Sequence, residues 1–179
     1  MKAVFLDRDG TINVDHNYVS KIDKFEFLPG AISGMRRFSE LGYGLVIITN
    51  QSGIGRGLYT EEDYKTLMEH MKQMLRKEGI ELLGEYHCSH LPEIKCKCRK
   101  PGTDLIHQAM KDNNITAEGS FMIGDKTTDI LAGKNAGLKT ILVMTGKAGK
   151  DKTYTAAPDI VALDLEDAAA KISIINHKS

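Results

Sequence analysis

Short apolar runs alternate along the chain with longer segments in which apolar residues recur every three or four positions. The run LVIIT at residues 45–49 is rich in β-branched residues and has no polar alternation, which is typical of a strand buried on both faces. Strands alternating with helices predict a parallel sheet that carries helices on both faces. The predicted strands are residues 3–6, 45–49, a run just before Cys88, 120–123, 140–143 and an edge strand at 160–161. The predicted helices are residues 31–41, 61–77, 103–111, 128–136 and 165–175.

The composition limits the size and the partners of the protein. Its 179 residues, 41% of them hydrophobic, can bury one good core, so we expect a single α/β domain over residues 1–179 with a three-layer α/β/α, Rossmann-like arrangement. The 24 Lys and Arg residues balance the 24 Asp and Glu residues, which argues against nucleic acid or a membrane surface as a partner. No apolar run approaches the roughly 20 residues of a membrane helix, so we expect a cytoplasmic protein. We also expect a monomer. Residues 145–158, rich in Gly, Lys and Ala, predict a mobile surface loop.

Polar residues stand where the predicted strands end. Asp7 and Asp9 follow the first strand, and the sequence TNQS at residues 49–52 closes the second. Lys100 precedes the helix at 103–111, and GDKTTD at residues 124–129 follows the fourth strand. Such residues are also common in turns and helix caps, and any one set fits that interpretation. Because parallel α/β sheets bind ligands outside the carboxyl ends of their strands, four sets together favour a functional site.

The residue types in these sets suit phosphoryl transfer. The carboxylates of Asp7, Asp9 and Asp125 are oxygen ligands of the kind that Mg²⁺ prefers. A cation and polar donors can hold the oxygens of a transferring phosphoryl group. The candidates for this second role are Lys100, Thr49 and Asn50. We therefore predict a Mg²⁺-dependent phosphatase in which Asp7 attacks phosphorus to give an aspartyl-phosphate and Asp9 shuttles the proton.

The same motifs, in the same order, resemble those of a known superfamily. They are DRDGT at residues 7–11, Thr49, Lys100 and GDKTTD at residues 124–129, and over residues 3–146 they resemble the haloacid dehalogenase-like phosphatases. The resemblance implies that Asp7 is the nucleophile, that Asp9 is the general acid/base, and that Thr49 and Lys100 complete the catalytic set. It also implies a Mg²⁺ site formed by Asp7, the backbone carbonyl of Asp9, and Asp125. Asp129 is implied as a support for Lys100 or for a water on the metal.

All three cysteines of the chain lie within residues 88–98. Together with a nearby histidine they form a Cys₃His set, which has the ligand number of a closed structural zinc site. A disulfide is less favoured, because it is uncommon in the cytosol and leaves an odd thiol, and a redox pair more often has the spacing C-x-x-C. Unrelated buried cysteines would not be expected to cluster. We therefore predict structural Zn²⁺ in a loop that rigidifies the segment carrying Arg99 and Lys100. The four predicted zinc ligands are Cys88, His90, Cys96 and Cys98.

Further stretches narrow the resemblance to one branch of the superfamily. They are CRKP after the zinc loop, DHNYV at residues 15–19, FLPG at residues 27–30 and TNQSGIGRG at residues 49–57. The branch contains the D-glycero-D-manno-heptose 1,7-bisphosphate 7-phosphatases and the histidinol-phosphate phosphatases. NQSGIGRG and GDKTTD favour the heptose group, whereas the five residues between His90 and Cys96 match the histidinol group and also occur among heptose enzymes. The substrate contacts implied by the resemblance are Asp15, His16, Asn17, Tyr18, Thr49, Asn50, Gln51, Ser52, Arg99, Lys100 and Lys126.

Three functions remain open on the sequence. The favoured function is hydrolysis of a small phosphorylated sugar, and the alternative within the branch is hydrolysis of histidinol phosphate. The non-enzyme alternative is a zinc-stabilised binding module, which would be expected to have lost Asp7, Asp9 or Lys100.

A large cap domain could be inserted at three points of the chain, but at none of them is the segment long enough to form one. We therefore expect an open site whose selectivity comes from residues 15–18, residues 53–57 and the zinc loop. Arg56 and His16 fit either a ligand contact or a solvated loop residue.

Overall fold

The chain folds around a six-stranded parallel sheet with the strand order β3-β2-β1-β4-β5-β6. The computed structural model describes residues 1–177. For the five strands predicted with both ends, each end lies within one residue of the predicted one. The predicted three-layer α/β/α arrangement is confirmed. The strands are β1 (Ala3–Leu6), β2 (Gly44–Asn50), β3 (Gly84–Cys88), β4 (Phe121–Gly124), β5 (Lys139–Val143) and β6 (Ile160–Ala162).

The five predicted helices are present and shift by at most two residues at their ends. The predictions missed only short elements, the four-residue helix α2 and two 3₁₀ turns at Ile22–Lys24 and Pro92–Ile94. Helix α3 begins with a reciprocal cap in which Thr60 and Asp63 bond each other's backbone N–H, a strong local start signal. The helices are α1 (Ala31–Glu40), α2 (Ser52–Gly55), α3 (Glu61–Lys77), α4 (Asp104–Asp112), α5 (Thr127–Asn135) and α6 (Leu165–His177).

Successive strand residues enter two apolar cores, one on each face of the sheet. On β1, Val4 and Leu6 pack into the core shared with α1, α3 and α6. Ala3 and Phe5 pack into the opposite core, shared with α4 and α5. This alternation is the two-residue period of a strand, and it explains why β1 has no polar position.

The strand order reverses at β1, which lies between β2 and β4. The chain leaves β1 toward β2 and later returns to β4 on the other side, which opens a crevice at the carboxyl ends of these strands. The predicted loop at residues 145–158 is irregular, and it begins at the same edge because β5 ends at Val143. None of the helices within residues 1–177 is both long and apolar enough to cross a membrane.

Candidate active site

Asp7 is the first residue beyond β1, and a tight turn follows it. Its backbone N–H donates to Ile123 O at 3.0 Å, which fixes the end of the strand against β4. Gly10 in the turn has φ +88°, and a Cβ there would collide with the Asp125 carboxylate. Glycine is therefore required at position 10, both for its backbone conformation and to let Asp125 approach β1.

Lys100 lies between two buried carboxylates. Its Nζ is 2.8 Å from Asp7 Oδ1 and 2.7 Å from Asp129 Oδ1, and it also donates to Ile48 O at 2.7 Å. Burial alone would raise the pKa of Asp7, but the charges of Lys100 and Lys126 outweigh it, so this pKa lies below its usual value. Asp7 is thus held as an anion, the state in which a carboxylate acts as a nucleophile.

Asn50 fixes the backbone of Lys100. The Lys100 N–H donates to Asn50 Oδ1 at 3.0 Å, and Asn50 Nδ2 donates to Lys100 O at 3.2 Å. The side-chain amide of Asn50, predicted as a donor to the phosphoryl group, therefore has one of its two hydrogens on Lys100. This pairing ties the end of β2 to the segment that follows the cysteine cluster.

Asp125 has the properties of a metal ligand. Its Oδ1 is buried and accepts no hydrogen bond among the described residues, while its Oδ2 accepts from Lys147 N at 2.7 Å. Burial, together with the charges of Asp7 and Asp129, raises the pKa of Asp125 to about 7 even though Lys126 opposes the rise. Oxygens of these three carboxylates lie within 4.8 Å of one another. A site rich in carboxylate oxygen, with one buried oxygen that accepts no hydrogen bond among the described residues, fits Mg²⁺.

Lys126 approaches the same oxygens from the side of the cleft. Its Nζ donates to Asp9 O at 3.1 Å and lies 3.4 Å from Asp125 Oδ1 and 3.6 Å from Asp7 Oδ2. Asp15 Oδ2 is 3.9 Å away on the other side. The ammonium therefore borders all three oxygen sources that the family resemblance implies for the metal.

The Asp9 carboxylate points to a different set of donors. Arg8 Nη2 donates to both of its oxygens, at 2.9 and 2.8 Å, and Asn13 Nδ2 donates to Oδ1 at 3.0 Å. Arg8 is fully buried and also donates to Val19 O at 2.8 Å. The Asp9 carboxylate is thus held in one orientation by donors other than the lysines that contact Asp7, Asp125 and Asp129. This separate hydrogen bonding is consistent with a separate chemical role for Asp9.

The loop at residues 145–158 is tied to the site. Besides the bond from Lys147 N to Asp125, Asp151 accepts from the Thr127 backbone N–H at 2.9 Å and from its hydroxyl at 2.6 Å. Part of this predicted surface loop therefore forms one wall of the cleft described next.

An open cleft of about 720 Å³ lies over these groups. A deeper recess of about 40 Å³ is enclosed by Asp7, Asp9, Thr49 and Lys100 with their neighbours. His16 lies outside the cleft, on a separate concave surface lined by residues 16–21 and 23–26. Arg56 is exposed and lines neither the cleft nor the recess. The predicted substrate contacts that line the cleft are Asp15, Asn17, Tyr18, Asn50, Gln51, Ser52, Arg99, Lys100 and Lys126.

Several residues of the cleft were not predicted. Apart from Thr128, which stands in GDKTTD, no motif marked them, because turn and loop residues far apart in sequence meet there only through the fold. Arg8, which is buried behind Asp9 and does not line the cleft, did carry a signal, since a charged residue between two aspartates at the end of a buried strand must find a partner. The further lining residues include Tyr59, Lys95, Thr128, Asp151, Thr153 and Tyr154.

The predicted zinc ligands converge at the other end of the cleft. Cys98 Sγ is 3.2 Å from the sulfurs of both Cys88 and Cys96, and His90 Nδ1 is 3.2 Å from Cys98 Sγ. Burial alone would raise the pKa of Cys96, but hydrogen bonds with the thiols of Cys98 and Cys88 outweigh it and lower this pKa to about 7. Four such donor atoms within 4.8 Å of one another fit a tetrahedral zinc ion.

Comparison with known proteins identifies relatives over most of the chain. A family model described as HAD-hydrolase-like matches residues 97–168. A Pasteurella multocida protein named D-glycero-beta-D-manno-heptose-1,7-bisphosphate 7-phosphatase is 48% identical over 82% of this chain and 83% of its own. A Helicobacter pylori (strain J99) protein of the same name is 52% identical over 80% of this chain and 83% of its own.

A solved structure agrees with these relatives. The D,D-heptose 1,7-bisphosphate phosphatase of B. bronchiseptica, complexed with magnesium and phosphate, superimposes with a TM-score of 0.89 at 28% identity and covers 100% of both chains. The likeness therefore includes the entire sheet and the loops at its carboxyl edge.

Proposed function

Because the chain belongs to the family of D-glycero-D-manno-heptose-1,7-bisphosphate 7-phosphatases, within the haloacid dehalogenase-like hydrolases, we propose that it hydrolyses the 7-phosphate of heptose 1,7-bisphosphate. It is a phosphoric monoester hydrolase of carbohydrate metabolism. The observation that carries the proposal is the buried Asp7–Lys100–Asp129 cluster beside a separately held Asp9. These are the charges that formation and hydrolysis of an aspartyl-phosphate require.

In the first step Asp7 attacks phosphorus, and the bond from phosphorus to the sugar oxygen breaks. Protonated Asp9 gives its proton to the leaving alkoxide. In the second step a water attacks the phosphorylated Asp7, Asp9 takes the proton of that water, and inorganic phosphate leaves. Throughout both steps Lys100 offsets the negative charge of the phosphoryl oxygens, and the Thr49 hydroxyl, which lines the recess, donates to one of them.

Mg²⁺ is the cofactor of the proposed reaction. Asp7, the backbone carbonyl of Asp9, and Asp125 would hold it, with Asp129 supporting Lys100 at 2.7 Å rather than binding the ion. When bound, the ion supplies positive charge that lets a phosphate approach three carboxylates. The metal-ligand character of Asp125 supports this assignment.

Zn²⁺ is the structural metal of the proposal, held by the Cys₃His set. Lys100 is only two residues beyond Cys98, so a closed zinc site would restrict the backbone that presents Lys100 and Arg99. The convergence of four donor atoms supports a structural ion, and a full set of four protein ligands leaves no position for catalysis.

The cleft is suited to a small, doubly phosphorylated sugar. With one phosphoryl group in the recess, the remainder of the substrate would lie among Asp15, Asn17, Tyr18 and Ser52, with Lys126 and Arg99 available to the second phosphate. We propose the β anomer, because the two relatives compared above are named for it. His16 is left without a direct role, since it lies outside the cleft.

The proposal treats residues 1–179 as one domain, with the zinc loop at residues 88–98. We further propose a cytoplasmic monomer. The balanced charge of the chain supports the absence of a nucleic-acid or membrane partner.

The test compares three substrates with Mg²⁺ present: heptose 1,7-bisphosphate as separate α and β anomers, and histidinol phosphate. We expect kcat/KM for the β bisphosphate to exceed that for histidinol phosphate by at least about a hundredfold, or roughly 2.7 kcal/mol. Phosphorus NMR of the product should show that the phosphate at C1 remains. Preference for histidinol phosphate would select the alternative function, and release of no phosphate from any substrate would select the binding module.

A further inference from the structure

The side-chain amide of Gln51 joins the Asp9 carboxylate to the Thr49 hydroxyl. Its Nε2 donates one hydrogen to Asp9 Oδ2 at 2.9 Å and the other to Thr49 Oγ1 at 2.8 Å. Because these two bonds use both hydrogens of the buried amide, none is left to donate to a ligand. The family resemblance implied a substrate contact for Gln51, but this bonding makes it a support for two groups that act on the substrate.

Tyr59 sets the orientation of this amide. An amide turned by 180° would direct its carbonyl oxygen at the Asp9 carboxylate, and the two acceptors would repel each other. The Tyr59 hydroxyl donates to Gln51 Oε1 at 2.5 Å and so favours the orientation in which Nε2 faces Asp9. Burial raises the pKa of Tyr59 to about 12, although the Arg8 charge opposes the rise, so the hydroxyl remains a donor at neutral pH.

We propose that Tyr59 is a positioning residue for proton transfer: its hydroxyl orients the Gln51 amide, and the amide, together with Arg8 and Asn13, holds the Asp9 carboxylate in one orientation. Tyr59 acts through Gln51 and needs no contact with the reacting atoms. The inference rests on the proposed function, in which Asp9 is the general acid. Tyr59 lies two residues beyond the motif TNQSGIGRG and belongs to none of the motifs identified in the sequence.

Tyr59 also packs in the core, and the test must separate this packing from the positioning role of its hydroxyl. Its ring belongs to an apolar core and lies against Gly53, where a Cβ would collide with it. Tyr59→Phe removes the hydroxyl and keeps the ring. Tyr43→Phe is the matched control, because Tyr43 is equally buried and its hydroxyl donates to Asn176 Oδ1 on α6 at 3.2 Å.

The experiment measures kcat and KM for heptose 1,7-bisphosphate and for 4-nitrophenyl phosphate, whose nitrophenolate leaves without protonation. For Tyr59→Phe we expect kcat/KM to fall about tenfold on the sugar phosphate and less than about threefold on the aryl phosphate, because kcat/KM reports only the steps up to departure of the leaving group. Gln51→Met keeps the side-chain length but has no amide, and it should show the same selective loss even if Tyr59→Phe fails to fold. Tyr43→Phe should leave both substrates unaffected.

A double-mutant cycle with Asp9→Asn distinguishes failure of this inference from failure of the proposed function. If Tyr59 acts through Asp9, Tyr59→Phe has no further effect on kcat in the Asp9→Asn background. Equal losses on the two substrates, or losses that multiply with those of Asp9→Asn, would overturn the role of Tyr59 and leave that of Asp9 intact. An Asp9→Asn variant that does not discriminate between leaving groups would overturn the role of Asp9 itself, and this inference with it.

Discussion

Lys100 Nζ lies 2.8 Å from Asp7 Oδ1, although 93 positions separate the two residues along the chain. Both side chains are almost completely buried, and Asp129 contacts the same ammonium from the other side. Burial alone would lower the pKa of Lys100, but the charges of Asp129 and Asp7 outweigh it and raise this pKa above its usual value. The chain therefore presents a permanent cation beside the carboxylate that we propose as the nucleophile.

Asp7→Asn should abolish turnover while keeping the fold. Asparagine has nearly the same shape, but it cannot attack phosphorus and is a weaker ligand for Mg²⁺, so kcat should fall by at least about a thousandfold. Phosphate release from heptose 1,7-bisphosphate measures the loss, and thermal melting checks the fold. Asp23→Asn, an exposed change on a 3₁₀ turn, serves as the control. Retention of more than about a tenth of the activity, a loss of at most roughly 1.4 kcal/mol, would rule out the covalent mechanism.

Asp9→Asn should discriminate between leaving groups. A sugar alkoxide is a poor leaving group that needs a proton, whereas nitrophenolate does not, so we expect a loss of about a hundredfold on the sugar phosphate and a much smaller one on 4-nitrophenyl phosphate. The ratio of the two kcat/KM values measures the effect, because kcat/KM reports only the steps up to departure of the leaving group, whereas hydrolysis of the phosphorylated Asp7 is common to both substrates. If both substrates lose activity equally, Asp9 serves only to organise the site.

The hydrophobic pattern predicted the sheet and the five long helices because strands buried on both faces appear as unbroken apolar runs, whereas helices packed on one face show apolar residues every three or four positions. It missed α2, since a four-residue helix has too few positions to show a period. The motifs identified Asp7, Lys100 and Asp125 as candidates, and the fold brings all three together. These residues follow strands or precede helices, which are the positions that sequence alone can locate.

The motifs did not reveal which side chains hold the candidates in place. Asn50 and Gln51 were predicted as ligand contacts, but their amides bond to the Lys100 backbone and to Asp9. Tyr59 was not predicted at all, because its role depends on one hydroxyl reaching Gln51 across a turn. Partners of this kind depend on distances of a few tenths of an ångström, which a sequence pattern does not encode.

Lys126→Met should change the affinity for Mg²⁺ in the absence of substrate. The Lys126 ammonium lies within 3.6 Å of Asp7 Oδ2, Asp9 O and Asp125 Oδ1, so it neutralises the metal-free site and repels an incoming cation. We expect the metal-free variant to melt at a lower temperature, to bind Mg²⁺ several-fold more tightly by calorimetry, and to gain more stability from Mg²⁺ than the wild type.

A matched control for Lys126→Met is Lys134→Met, because within residues 1–177 the ion pair of Lys134 is an exposed one with Asp159 at 3.4 Å. This change should alter neither the affinity for Mg²⁺ nor the stabilisation by it. If Lys126→Met bound Mg²⁺ more weakly than the wild type, the ammonium would be assisting the metal rather than competing with it.

Removal of the two metals should have different consequences. A closed shell of three thiolates and one imidazole binds zinc tightly, so about one zinc per chain should copurify and survive brief treatment with EDTA. Mg²⁺, held by few carboxylates and several waters, should be removed by the same treatment, and added Mg²⁺ alone should restore turnover. Elemental analysis and phosphate release measure the two effects. Protein purified without chelators that contains no zinc would contradict the site.

Cys96→Ser tests whether the zinc loop acts on catalysis. Cys96 contacts Cys98 at 3.2 Å, and Lys100 follows two residues later, so loss of the ion should loosen the backbone that presents Lys100 to Asp7. We expect a lower melting temperature and a lower kcat, neither of which Mg²⁺ restores. Lys97→Ser is the control, because Lys97 lies in the same loop with an exposed side chain and should leave zinc content, melting and turnover unchanged. A Cys96→Ser variant with normal melting and turnover would mean that the fold positions Lys100 without the ion, through its bonds to Asn50 alone.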